Sequence, residues 1–357
     1  MANRGEWSEF YAFLKLLADG QVKCVDGHLV PNGHNHIIEQ IFRDDNFNRN
    51  TYDIDINNNQ VIINQGQTNA SSISCALIAN EARTLWNFIQ TLQGSGTCQH
   101  TVNFMPSIFC DPGKITAKST DKADIRLVIH HYVMGKTPEQ GYSIKSSAGA
   151  PSTLVNASKD HTNFIYELPN LTLNQLQIFS QQKNFVNKFA QANISSLEYR
   201  ELASSIMKMN LRILDGDLEV LLAECLRVKY MTGKTKIKDI IPDVINTNPL
   251  NLSFQPNSVV SNAYEYKIKH FLVAAALGFT PGTLWNGHFN ASGGIIVVKD
   301  DGDVVCIHYY DRQYLEDYLY EHSYFETPSM NRHLFGEIYN INGHNYIKLN
   351  LQVRFNQ

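Results

Sequence analysis

Hydrophobic residues near the amino terminus recur at the spacing of a helix. Residues 6–18 place apolar side chains three and four positions apart, and Asp19-Gly20 follows as a stop signal. The pattern then changes to short alternating runs over 21–64, which predict strands and turns, including a hairpin between 51–56 and 61–63. A second helix is predicted over 71–93.

Two apolar stretches in the middle of the chain, 124–133 and 141–146, predict a pair of adjacent strands. Asp124 stands at the start of the first strand, and Lys145 lies inside the second. Because side chains alternate along a strand, Ser143 and Lys145 would share one face. The same alternation puts the neighbouring His130 and His131 on opposite faces, so these two do not form a joint metal site.

The second half of the chain is more helical. Helices dominate 171–230, and a polar stretch rich in Asn, Pro and Ser predicts a loop over 246–262, followed by a helix over 263–277. A hairpin with an Asp-Gly turn is predicted over 295–310, and a strand over 346–355.

The change of pattern near 165–170 is the best candidate for a domain boundary. It predicts a first unit over 1–168 that contains the amino-terminal helix and the paired strands. The second unit, 169–357, would combine helices with β-hairpins.

Composition narrows the class of protein. Hydrophobic residues make up 43% of the 357 residues, so the chain is globular, and charged residues only 18%. The net charge of −4 argues against a nonspecific nucleic-acid coat protein, which would be strongly basic, but permits a site-specific enzyme with a basic groove. No apolar signal core and no run long enough to span a membrane are present, so we expect a cytoplasmic protein.

The cysteines are scattered, and none forms a CxxC pair, which makes a zinc ribbon improbable. We expect reduced, buried thiols. The six positions are Cys24, Cys75, Cys98, Cys110, Cys225 and Cys306.

An acid and a lysine on neighbouring strands are the core of many Mg²⁺-dependent nucleases. Asp124 would bind the metal, and Lys145 would orient the attacking water or stabilise the charge that develops on phosphate. The nuclease pattern has an acid two residues before the lysine, where this chain has Ser143, and a hydroxyl is a poorer Mg²⁺ ligand than a carboxylate. Without other evidence, the same spacing of Asp124 and Lys145 is also typical of an aspartate in a turn and a lysine on a surface strand.

The missing carboxylate has a candidate in the first predicted helix. Glu9 shares a face with Phe13 and Leu16, so its side chain would point inward, where a carboxylate needs a metal or a lysine as partner. The alternative is an ordinary first-turn glutamate favoured by the helix dipole. The small and hydroxylated residues of 146–158 would present backbone N–H groups to phosphate, or form a plain surface loop.

Several segments together resemble the HpaII family of type II restriction endonucleases. They are 5–17, 141–146, 153–158 with 162–164, and 332–339 with 348–355, so the resemblance runs from residue 5 to residue 355. It implies Mg²⁺-dependent cleavage of double-stranded DNA, with CCGG as the implied target. We therefore expect an α/β fold with a PD-(D/E)XK-like nuclease core, a mixed sheet flanked by helices, and added helical and β-hairpin recognition elements.

The expected reaction is in-line attack of water on a phosphodiester, which leaves a 5′-phosphate and a 3′-hydroxyl. Asp124 and Glu9 would hold Mg²⁺, Lys145 would act beside the phosphate, and Ser143 would be a minor participant or a hydrogen-bond donor. The region 169–357 would read the target and form a homodimer on a palindromic site. A companion DNA methyltransferase would protect host DNA without stable binding.

The residues that read bases are harder to assign. Because Arg and Asn side chains can bond base edges with two hydrogen bonds, the candidates are Arg312, Asn331, Arg332 and His333. Each could instead be a surface residue or a phosphate contact. Two other functions stay open: a catalytically silent DNA-binding protein, since Ser143 breaks the acidic motif, and a nuclease for structured or damaged DNA.

Overall fold

The computed structural model describes residues 1–44, 49–65, 70–108, 122–149 and 151–356. Cys110 and Ala150 lie outside these ranges. None of the helices in them is both long enough and apolar enough to cross a bilayer. The helices are α1 (Arg4–Asp19), α2 (Cys75–Thr91), α3 (Gln99–Phe104), α4 (Leu173–Gln181), α5 (Phe185–Gln191), α6 (Ser205–Leu214), α7 (Leu218–Thr232), α8 (Ile237–Thr247), α9 (Asn257–Leu277), α10 (Arg312–His322) and α11 (Met330–His333).

The strands belong to several sheets. They are β1 (Ala2–Asn3), β2 (Gln21–Val25), β3 (Pro31–Asp44), β4 (Arg49–Asp55), β5 (Gln60–Gln65), β6 (Ser71–Ser74), β7 (Ser95–Gly96), β8 (Ile125–His131), β9 (Gly135–Lys136), β10 (Gln140–Ser146), β11 (Ser152–Val155), β12 (Asn163–Leu168), β13 (Glu198–Leu202), β14 (Gly294–Val298), β15 (Val304–His308), β16 (Ser323–Phe325), β17 (Ile338–Ile341), β18 (His344–Asn350) and β19 (Val353–Phe355).

Six strands of the central sheet pair in a closed ring, in the order β3, β2, β15, β14, β10 and β8, with β8 returning to β3. Strands β4, β5 and β6 extend the sheet from β3, and β9 pairs with β8. The sheet is mixed, because β10 runs parallel to β14, and β15 parallel to β2. The expected α/β class is therefore confirmed.

The ring separates two hydrophobic cores. Tyr142 and Ile144 of β10 are buried in one core together with α1 and α2. Ile295 and Val297 of β14 are buried in the other, which contains α9. Strands β14 and β15 thus have one face in each core, as alternation along a strand requires.

Helix α1 forms where its sequence pattern predicts it. The Asn3 side chain accepts a hydrogen bond from the Glu6 N–H, and the Glu6 carboxylate accepts one from the Asn3 N–H, which caps the first turn. Gly20, with φ 61°, ends the helix in the left-handed conformation. Because α1 is buried along most of its length, the cap fixes which residues its first turn presents to neighbouring strands.

Some predicted elements differ from the observed ones. The hairpins over 51–63 and 295–310 are confirmed as β4–β5 and β14–β15. The helix predicted over 71–93 begins with strand β6, which pairs with β5 before Ser74 caps α2. The predicted loop 246–262 is too long, because α9 starts at Asn257.

The strand predicted over 346–355 is divided into β18 and β19, which belong to different sheets. Between them, the Leu351 N–H donates to the Thr162 carbonyl, and the Gln352 carbonyl accepts from the Glu326 N–H. The division at residue 168 stays a prediction, although β14 and β15, from the second half, complete the sheet that contains β8 and β10.

Three histidines, on the ring strands β3, β8 and β15, pack against one another. His36, His131 and His308 are buried, and their ring centroids lie 4.5 to 5.4 Å apart. His130 is exposed, so the prediction that His130 and His131 face opposite sides is confirmed. The Nδ1 atom of His131 accepts the Val133 N–H, which requires a neutral imidazole.

Burial keeps all three rings neutral. It lowers the pKa of His36 to about 3 and that of His308 to about 4, and it also lowers the pKa of His131. The neighbouring histidines contribute to the lowered pKa values of His36 and His308. One carboxylate, that of Asp311, lies near the cluster. The other neighbouring groups are Cys24, Tyr132, Tyr142 and Tyr310.

We predict that stability falls in mild acid. Since the folded-state pKa values lie below the unfolded value near 6.5, the unfolded chain binds more protons, and the free energy of unfolding decreases as the pH drops from about 6.5 to about 4. Each histidine contributes a slope of at most about 1.4 kcal/mol per pH unit. Urea denaturation at several pH values measures the slope.

His36→Phe should reduce this slope, because it removes one of the buried titrating groups. It breaks no side-chain hydrogen bond, since neither ring nitrogen of His36 has a hydrogen-bond partner among the described residues. The exposed His130→Phe is the matched control and should keep the wild-type slope. Equal slopes in both variants and the wild type would show that the buried cluster does not control acid stability.

Candidate active site

The register between β8 and β10 places the predicted acid beside the predicted lysine strand. Tyr142 is opposite Ile125, and the Asp124 N–H donates to the Tyr142 carbonyl at 2.9 Å. Gly141 permits this close approach, because a Cβ atom there would lie 2.7 Å from the Cβ of Ala123, the residue before Asp124. Asp124 therefore sits next to the middle of β10.

A chain of hydrogen bonds connects the acid to the lysine. Oδ2 of Asp124 accepts the Ile144 N–H at 2.6 Å and the Ser143 hydroxyl at 3.2 Å. The Lys145 ammonium donates to the Ser143 Oγ at 2.8 Å. Ser143 is buried and thus bridges the carboxylate and the ammonium.

Glu9 reaches the same place from α1. Burial and, to a smaller extent, the Asp124 carboxylate raise the pKa of Glu9 to about 8, against the opposing effect of Lys145. Burial likewise raises the pKa of Asp124, against the effects of Lys145, the Ile144 N–H and Ser143. A cation bound between the two carboxylates would favour the ionised form of each.

All four predicted catalytic residues line one cavity of about 650 Å³. The structure thus brings together positions from α1, from the start of β8 and from β10. The lining residues are Asn3, Arg4, Gly5, Glu9, Gly94, Lys122, Asp124, Ser143, Ile144, Lys145, Ser152 and Thr153.

A second lysine in this cavity was missed by the sequence interpretation. Lys122 donates to the Leu154 carbonyl at 3.2 Å, and burial and, to a smaller extent, the Lys145 ammonium lower its pKa to about 8. The available signal was its position two residues before Asp124, on the same side of an extended chain. The strand pattern begins only at residue 125, so this position looked like part of a turn.

The amino-terminal end of α1 also faces the cavity. Asn3, Arg4 and Gly5 line it, and a helix amino terminus favours negative charge through its unpaired N–H groups and dipole. In the predicted phosphate loop, Ser152 and Thr153 line the cavity. The N–H of residue 147 donates to the Val298 carbonyl, and that of residue 148 to the Ser146 hydroxyl within the loop. Residue 150 of that loop lies outside the described residues.

The donor set suits a hard divalent cation. Oδ1 of Asp124 accepts no hydrogen bond from the described residues, and Glu9 offers a second carboxylate. In the described ranges, no three Asp, Glu, His or Cys side chains form a ready metal cage. Mg²⁺ is commonly held by one or two carboxylates, waters and substrate phosphate, so two carboxylates are sufficient.

The four predicted base readers do not form one group. Arg312, at the start of α10, donates to the Glu316 carboxylate at 2.6 Å and is thus engaged within its own helix. Asn331, Arg332 and His333 lie together on α11, where the first two are exposed. The α11 group is the better placed to contact a ligand.

Comparison with known proteins gives one consistent result. A family model described as HpaII restriction endonuclease matches residues 3–355. The type II restriction enzyme HpaII of Haemophilus parainfluenzae is 36% identical over 357 residues, which cover 99% of this chain and 98% of that enzyme. No solved structure matches the chain significantly. The resemblance found in the sequence is confirmed, and the chain belongs to the HpaII restriction endonuclease family.

Proposed function

We propose that this sequence-specific endonuclease hydrolyses double-stranded DNA at CCGG with Mg²⁺ as cofactor. The catalytic groups would be Asp124, Glu9, Ser143 and Lys145. The observation that carries the proposal is the hydrogen-bonded series from Asp124 through Ser143 to Lys145, with Glu9 in the same cavity. The full-length similarity to a type II restriction enzyme supports the choice of DNA as substrate.

The proposed catalytic core is of the PD-(D/E)XK type. The elements that would form it follow in an αβββαβ order: α1, β3, β8, β10, α9 and β14. Strand β8 is antiparallel to both β3 and β10, and β14 is parallel to β10. An acid at the start of β8 and a lysine on β10 suit such a core. Ser143 is the departure from its motif, and Glu9 would supply the replacement carboxylate.

Each side chain would have a distinct part in the reaction. When bound, Mg²⁺ would polarise the phosphate and lower the pKa of a water molecule. Asp124 would offer its free oxygen to the cation, while the Ile144 N–H holds the other in place. Lys145 has donors beyond the one used for Ser143 and would direct one at the phosphate or the attacking water.

Ser143 would position the lysine. Its hydroxyl donates a hydrogen bond to Asp124 and accepts one from Lys145, so it is engaged within the protein both as donor and as acceptor. A serine engaged in this way is a better hydrogen-bond bridge than a metal ligand. Lys122 would add a second positive charge near the phosphate, and the α1 amino terminus would favour the same anion.

Membership of the HpaII family and the symmetry of a palindromic site support a proposal for the target and the assembly. The HpaII relative supports CCGG as target, and a palindrome presents identical half-sites related by a two-fold axis. A homodimer would place one cavity at each strand. A companion methyltransferase would modify the same sequence in host DNA, and Asn331, Arg332 and His333 on α11 would read bases.

Plasmid DNA incubated with the protein and Mg²⁺ should yield discrete fragments whose sequenced ends lie at CCGG. A plasmid without CCGG should stay intact, and EDTA should prevent cutting, because the carboxylates alone do not activate water. Retardation without cutting would favour the silent DNA-binding protein. Cutting without fixed ends would favour a nuclease for structured or damaged DNA.

Asp124→Asn, Glu9→Gln and Lys145→Met should each reduce the cleavage rate by about 10²-fold or more, the usual effect of removing a group that stabilises the transition state. Binding of a CCGG duplex in Ca²⁺ should be largely kept. Single-turnover cleavage and fluorescence anisotropy measure the two quantities.

The matched control is Lys136→Met, which changes the same charge on an exposed strand residue paired with Glu39. Lys122→Met should reduce the rate less than Lys145→Met, because Lys122 is not connected to Asp124 by the hydrogen bonds through Ser143. A near wild-type rate in the Asp124 or Lys145 variant would place the active site elsewhere.

Ser143→Ala should slow cleavage by about tenfold, since the loss of one hydrogen bond to charged groups corresponds to roughly 1.5 kcal/mol. The Michaelis constant should change little, because the serine positions the lysine and leaves DNA affinity unaltered. Ser146→Ala, at the end of the same strand, is the control. An unchanged rate constant in Ser143→Ala would contradict the bridging role.

A further inference from the structure

A second cavity lies beside α11 and shares no lining residue with the candidate active site. It has a volume of about 440 Å³. Phe185 and Tyr230 form part of its buried floor, and the exposed Thr235, Thr327 and Ser329 lie at its rim. None of its lining residues is acidic, so the cavity has no negative side chain of its own.

The buried lysine of this floor is Lys229, which is only 3% exposed. Its ammonium donates to the Thr327 hydroxyl and lies 3.8 Å from the centre of the Tyr230 ring. Neither partner carries a negative charge. Among the described residues Lys229 forms no ion pair, and Glu326, the acid that acts on it, is bonded to Arg354 at 2.6 Å.

This arrangement is unfavourable for an ammonium group. A buried charge without a counter-charge is costly, and burial accordingly lowers the pKa of Lys229 to about 7. A hydrogen bond to one threonine does not require a lysine. The proposed catalytic mechanism gives Lys229 no role. A bound anion would supply the missing negative charge.

We propose that this cavity binds a phosphoryl group, with Lys229 as its buried cation. The Thr327 hydroxyl accepts from Lys229, and the hydroxyls of Thr235 and Ser329, which also line the cavity, can donate to the phosphate oxygens. Lys183 adds a second positive charge at the rim. Charge-assisted bonds from several donors are the usual way proteins hold phosphate oxygens.

Two sources supply such a group. Ser329 and Met330 line the cavity, and Asn331 and Arg332 follow them on α11, so a phosphate of bound DNA would enter beside the proposed base readers. This source rests on the proposed function. Free inorganic phosphate is the other source, and its binding is independent of whether the chain cuts DNA.

Nuclear magnetic resonance of protein labelled with ¹³C at the lysine Cε provides the test. The Lys229 signal is assigned by its absence in Lys229→Met, a variant that removes a desolvated charge and is expected to fold. Saturating inorganic phosphate should shift this signal and raise its titration midpoint, because an anion stabilises the ammonium form. Thr327→Val should weaken the response, and it supplies a second variant.

A CCGG duplex in Ca²⁺ separates the two sources. If DNA supplies the phosphate, the duplex shifts the same signal, and Lys229→Met weakens duplex binding by about tenfold, equivalent to one favourable contact. If the duplex leaves the signal unchanged while phosphate shifts it, the site takes free phosphate. Lys234→Met, whose side chain pairs with Asp243, is the matched control and should bind as the wild type does.

An unchanged Lys229 signal and titration midpoint in both saturating phosphate and saturating duplex would overturn the proposal. That outcome would leave the cleavage assays of the Asp124 and Lys145 variants untouched. Conversely, an inactive Asp124 cavity would not alter the response of Lys229 to inorganic phosphate.

Discussion

The backbone N–H of Ile144 holds the carboxylate of Asp124, and the rest of the candidate active site is arranged around this bond. It exists only because β8 and β10 pair in one register, with Gly141 allowing the chains to approach. A hydrogen bond to a charged group contributes about 1.5–3 kcal/mol, enough to keep a buried carboxylate in one orientation. Ser143 then has a fixed acceptor, and Lys145 a fixed place to donate.

Local patterns predict this part of the molecule well. Asp124 and Lys145 follow from the strand pattern, and Glu9 from helical spacing, because each depends on a few neighbouring residues. Lys122 was missed since no pattern precedes the strand. Arg312 looked available in the sequence, yet Glu316 lies four residues later on the same helix, and that spacing already favours an ion pair.

The closed ring and the parallel neighbour of β10 lie beyond local patterns. The pairing of β10 with β14 joins residues separated by about 150 positions, and several helices intervene. Such a contact depends on the packing of α9 against one face and α1 against the other, for which no short motif exists. The cavity around Lys229 is equally nonlocal, because it combines residues from α5, α7 and the approach to α11.

Because β14 and β15 belong to the ring, the sheet is completed late in the synthesis of the chain. Strand β10 has one of its two neighbours only after residue 298 has left the ribosome, and the ring closes only after β15 has followed. A chain interrupted in its first half therefore contains Glu9, Asp124 and Lys145 without β14 and β15. The order of synthesis delays completion of the sheet around the candidate active site until most of the polypeptide exists.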